Sequence, residues 1–179
     1  KNLFQVASIA LAWAAGTDWS NLKAAGFHGE LPPGINIGFL FHAYLQSHMP
    51  VEKGDQWLFF GALPKCYMDS LQVLYNTTLG KMEAYGVLMP KEQLSKYSAK
   101  GAMPCIVALQ VNRAKDTCRG MVLGFSRKQV MDHLGVRESD LNPQGGDSNP
   151  VFCIARIKGS MQMAKTPPAD QMKWIVEMK

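Results

Sequence analysis

The stretch Met103 to Ile157 reads MPCIVALQVNRAKDTCRGMVLGFSRKQVMDHLGVRESDLNPQGGDSNPVFCIARI, and its reading decides the fold. Cys105–Val111 and Met121–Phe125 are short and rich in β-branched and apolar residues, which predicts two strands joined through Asn112–Gly120. Ser126 with Gln129 three residues later is the capping-box spacing, in which a hydroxyl accepts from the orphan amide of the first turn. A helix over Arg127–Leu134 follows, with Val130, Met131 and Leu134 inward and Gly135 at the exit. The run NPQGGDSNP is a loop by composition, Val151–Ile157 reads as a third strand, and Trp174–Met178 as a fourth, paired with the third across Pro167 and Pro168.

Working outward, the residues before Gly101 read as mainly helical. Leu3–Ala15 is an apolar run of about thirteen residues, shorter than the roughly twenty that span a bilayer, and is expected to be a buried core helix rather than a signal peptide. Asp18 caps a short helix ending at Gly26, and HGELPPG is a loop because Pro32 and Pro33 have no amide hydrogen to donate. Ile37, Leu40, Phe41, Tyr44 and Leu45 recur at helical spacing in a segment closed by Met49-Pro50. The apolar run Trp57–Leu63 fits strand or helix. Pro64 opens a helix that runs to Gly80 with Met68, Leu71, Leu74 and Tyr75 as its apolar stripe, and KEQLSKYSAK is a further short helix. The whole is an α+β fold: a helical lobe over 1–100 against a small mixed sheet with one capped helix over 101–179, folding as one cooperative domain.

Charge is distributed unevenly over the 179 residues and net +5. Residues 1–90 carry five Lys and no Arg against six acids, whereas 91–179 carry nine Lys and five Arg against eight. Arg113, Lys115, Arg119, Arg127, Lys128 and Arg137 are therefore the candidate nucleic-acid-binding residues, because a phosphate backbone rewards several cations on one surface. The plainer alternative is a solvated basic face. Tyr97, Phe125, Phe152 and Trp174 lie among these charges and stack on bases if exposed, though aromatic residues in such a segment belong more often to the core. The segment SRKQVMDHLGVRESDL imitates a helix-turn-helix, but Pro143 and Gly145-Gly146 stop its second helix almost at once.

Catalytic motifs are sparse. Cys66 follows Pro64-Lys65 at a helix start, where the helix dipole and a neighbouring cation both favour a thiolate, so it is the candidate nucleophile of a thiol enzyme. His28, His42, His48 and His133 are all distant in sequence, and His42 and His48 face different sides of one helix. The cysteines Cys66, Cys105, Cys118 and Cys153 have no metal-ligand spacing and read as reduced thiols, which suits a cytoplasmic or nuclear protein. Leu79-Gly80-Lys81 resembles the end of a phosphate loop, but the required upstream glycine is Tyr75. Asn76-Thr77-Thr78 is a glycosylation acceptor placed, on this reading, inside an apolar helix.

The function expected from the sequence is thus non-catalytic binding of RNA or DNA through the basic half, within a larger assembly, with no cofactor, no metal and no membrane partner. The rivals are an interaction subunit that contacts protein partners through the Met-rich helical half, and a thiol enzyme built on Cys66.

Overall fold

A computed structural model of the protein describes residues 3–63, 65–135 and 150–178. Helices α1 (Leu3–Ala14), α2 (Trp19–His28) and α3 (Pro33–His48) precede strand β1 (Gln56–Gly61), helix α4 (Tyr67–Tyr75), strand β2 (Ala84–Gly86) and helix α5 (Lys91–Lys96). Strands β3 (Pro104–Asn112) and β4 (Thr117–Phe125), helices α6 (Arg127–Leu134), α7 (Pro150–Lys165) and α8 (Pro168–Gln171), a 3-10 turn (Met172–Trp174) and strand β5 (Ile175–Met178) complete the order. The described residues are about 52% helical and 21% strand, so the α+β expectation holds with helix in excess.

The five strands form one mixed sheet in the order β2-β1-β3-β4-β5, with β1 and β2 parallel and the other neighbours antiparallel. Two of its strands come from the first half of the chain. The run whose type the sequence left open is β1, and its burial alternates from Gln56 to Gly61 because one face lies on the core. Strand β5 pairs with β4, in the register Val122 to Met178 through Phe125 to Ile175. The third strand expected at Val151–Ile157 is instead the first half of the sixteen-residue helix α7. A run of seven apolar-rich residues fits either state, and here the following residues through Lys165 extend it past any strand length.

Core formation explains the layering. Ile37, Phe41 and Leu45 of α3 and Tyr67 and Leu71 of α4 meet Phe59 of β1, Ile106 and Ala108 of β3, Leu123 of β4 and Ile175 of β5 in one buried cluster. A second cluster joins Ala12, Ala24, Ala25, Leu31 and Ile35 where α1, α2 and the start of α3 meet. Helix α1 is only half buried, with Leu3 and Trp13 more than 70% exposed, which corrects the expectation of a core helix. Among the described residues no helix is long and apolar enough to cross a membrane.

Local signals were read well where the chain is self-sufficient. The Ser126 hydroxyl accepts from the Gln129 amide, and Gly135 leaves α6 in the left-handed region at φ 62°. Asp18 caps α2, but that helix runs through Gly26 to His28 and ends on left-handed Gly29. Helix α4 stops at Asn76, also left-handed, rather than at Gly80, so the acceptor sequence begins at an exposed helix end. The expected opening at Pro64 and the charged turn after Gly135 lie outside the described residues.

Two helices approach closely at Gly38. A Cβ there would come within 2.4 Å of Ser70 Cβ and 2.7 Å of the Tyr67 carbonyl oxygen, so α3 and α4 cross with no room for a methyl group. Gly38→Ala should therefore cost about 2–3 kcal/mol in denaturant melts, as overpacking of a tight core does. Ser126→Ala should cost about 1 kcal/mol through loss of the α6 cap, and a change indistinguishable from zero would mean that cap carries no net stability.

Candidate functional site

Helix α2 ends on His28, and the left-handed turn at Gly29 delivers Glu30 beside it. Across from them, the first turns of α4 carry Cys66, Asp69 and Gln72. Packing brings these together: Gly34 of α3 lies against Cys66, where an added Cβ would meet Cys66 Cβ at 3.0 Å. As a result His28 Nδ1 lies 2.5 Å from Asp69 Oδ2, across 41 residues of sequence. An ionised carboxylate can only accept, so Nδ1 carries a proton and donates it to Asp69. Glu30 Oε1 stands 3.9 Å from Nε2 and accepts from Arg156 of α7 at 2.7 Å. Both members of the Glu30–Arg156 pair are more than four-fifths buried, so removing either strands a charge in a poorly solvated place. Arg156 also lies over the Phe152 ring at 5.2 Å.

These residues open onto a groove of about 430 Å³, lined by His28, Lys65, Cys66, Asp69, Gln72 and Tyr85 together with apolar side chains. Tyr85 is held by stacking on Phe60 and by donating to the Met82 carbonyl. The arrangement presents an oriented imidazole, a thiol, an exposed lysine and an amide. It can bind a polar group and pass a proton through His28.

Cys66 departs from the sequence expectation. It lies at the start of α4, as expected, though as the N-cap rather than inside a first turn opened at Pro64, and burial pushes its thiol above the ordinary range and outweighs the nearby Arg156 cation. Desolvation thus works against the thiolate that a helix start and a neighbouring cation would favour. Cys105, deeper in the sheet, is pushed up to about 11 by the same cause. Among the described residues no group of three or more His, Cys, Asp or Glu is gathered closely enough to hold a metal ion.

The described basic residues singled out from the sequence fall into two separate groups. Arg113 and Lys115 sit in the β3–β4 turn, Lys115 paired with Glu52, and Arg119 on β4 donates to Gln110 Oε1. Arg127 and Lys128 open α6 beyond the other end of β4, with Lys128 held by Asp132 at 2.6 Å. At about 3.3 Å per residue the nine residues of β4 put roughly 25 Å between the two groups. Arg137 lies outside the described residues. Of the aromatic candidates, Trp174 is core, Phe125 packs against the core, Phe152 lies under Arg156 and only Tyr97 is well exposed.

An α+β protein with a largely apolar groove that carries a few polar side chains, between the end of α2, α4 and β2, is the class that fold and site define. The sequence profile of the family described as "FmdE, Molybdenum formylmethanofuran dehydrogenase operon" matches residues 27–112, just under half of the chain. No curated protein matches it. The profile match overturns the expectation of an RNA- or DNA-binding protein, since it points to a protein associated with an enzyme. Every residue that lines the groove, from His28 to Gly86, falls within the matched span.

Sequence reasoning missed His28 and Asp69, because it placed His28 in a loop beyond a helix stopping at Gly26. In alkylation with iodoacetamide at neutral pH, exposed Cys118 should react first and Cys66 more slowly, with the Cys66 rate still rising above pH 9. Faster labelling at Cys66 than at Cys118 would show that its thiolate is favoured after all.

Proposed function

We propose that this chain is an accessory protein of an oxidoreductase system, of the formylmethanofuran dehydrogenase kind named in the matching profile, and that it engages the dehydrogenase through the groove at His28. The observation that supports this reading is the coincidence of the whole groove lining with the profile-matched span. The molybdenum in that description belongs to the dehydrogenase. The donor set here, with His28 Nδ1 committed to Asp69 and the Cys66 thiol pushed up by burial, does not fit a metal centre, and the reading needs none. Lys65, exposed at the groove rim, supplies a cation to a partner carboxylate, while His28 and Gln72 supply directional hydrogen bonds.

Binding to purified molybdenum formylmethanofuran dehydrogenase, measured by biolayer interferometry, tests this directly. Asp69→Ala, which frees the His28 ring, combined with Lys65→Ala should weaken the complex at least about tenfold. Lys96→Ala, on the exposed helix α5, should leave it unchanged. No complex at high protein concentration, or equal binding by all three proteins, would overturn the assignment.

A further inference from the structure

A second cavity, of about 310 Å³, lies between α2, α3, the end of α7 and α8, and most of its lining falls outside the profile-matched span. Its walls include Phe39 and Met163, and three of its polar residues share an unusual property. Asn21 Oδ1, His42 Nδ1 and Gln171 Oε1 are all buried with no hydrogen-bond partner among the described residues. Buried polar atoms in native proteins are nearly always paired, so three orphans around one cavity call for an explanation. Gln171 is 2% exposed, and its amide orientation is fixed because Nε2 donates to the carbonyls of Met163 and Thr166 at 2.9 and 2.6 Å. Its carbonyl oxygen is thereby committed as an unused acceptor.

The three orphans share one chemistry. Two are amide oxygens, and burial lowers the pKa of His42, which keeps the ring neutral and able to accept at one nitrogen. Among the described residues the cavity lining has a single ionised residue, the carboxylate of Asp18, and neither Lys nor Arg, in a chain whose net charge is +5. Acceptors, one negative charge and apolar walls define a host for a donor-rich cation with an apolar body. The α2 N-terminus behind Asp18 opposes a cation with roughly half an elementary charge, against the full charge of the carboxylate.

We infer that this cavity is a binding site for a small organic ammonium compound, with Asp18 as counter-charge and Asn21, His42 and Gln171 as acceptors for its N–H groups. The orphan atoms are sealed from bulk water, so the ammonium reaches all three, Gln171 Oε1 included, by entering the cavity and displacing the side chains that cover them. The site is separate from the groove and does not depend on the dehydrogenase reading.

Phenethylammonium is the probe, with phenethyl alcohol as the uncharged analogue and 3-phenylpropionate as the anion. Titrations are read by calorimetry and by the side-chain amide NMR signals of Asn21 and Gln171. The ammonium should bind at least about tenfold tighter than the alcohol, move both amide signals, and leave the carboxylate as a non-binder. Asp18→Asn keeps a residue able to cap α2 while removing the charge, and should bring the ammonium down to the affinity of the alcohol. Ala164→Phe, which fills the cavity from its wall, should abolish binding. No binding by the ammonium, equal binding of alcohol and ammonium, or binding that survives Ala164→Phe would each overturn the inference, the first meaning that the cavity holds water alone.

Discussion

The crossing of α3 and α4 at Gly38 is the constraint on which the rest of the molecule depends. With no Cβ at that position, Ser70 enters the contact and donates its hydroxyl to the Ile35 carbonyl at 2.8 Å, a bond available only at this separation. The same approach seats Cys66 against Gly34 and swings the first turn of α4 towards the end of α2. Asp69 can then reach His28. A methyl group at Gly38 would push the helices apart and open both the core beneath them and the polar contact above.

The two faces of that crossing serve different ends. Towards the sheet, α3 and α4 supply the large apolar side chains that cover β1, β3, β4 and β5, so the helix pair and the sheet form one continuous core. Away from it, the helix ends carry polar groups held by long-range partners. Glu30 is the junction, since it accepts from Arg156 of α7 and stands near His28, and so links a helix late in the chain to the groove. Asn36 does the same deeper in, donating to the Ser160 carbonyl of α7 at 3.2 Å. Helix α7, read from the sequence as a strand, is therefore the element that braces the groove and walls the second cavity.

Electrostatics in this protein is decided by burial more than by count. The second half holds the basic excess, yet the described cations named from it are split between two ends of β4, and three of them are occupied by Glu52, Gln110 and Asp132. The thiol at Cys66 has a helix end and an arginine in its favour and is still pushed towards neutrality by desolvation. For Cys66 a sequence rule gave the right neighbours and the wrong direction, because the competing desolvation depends on solvent access.

What the sequence determined by itself is local. The α+β class, the Ser126 cap with its exit at Gly135, the Asp18 cap and the hairpin of β3 and β4 follow from interactions within a few residues, where side-chain chemistry acts on its own backbone. Tertiary structure alone decided the state of Val151–Ile157, whose apolar residues satisfy either period until packing against α3 and α1 selects the helix. It also decided the site. His28 and Asp69 are 41 residues apart, and Asn21, His42 and Gln171 span most of the chain, so no spacing could announce them. They meet because helices pack where small residues let backbones approach, and that is a property of the folded surfaces rather than of any segment.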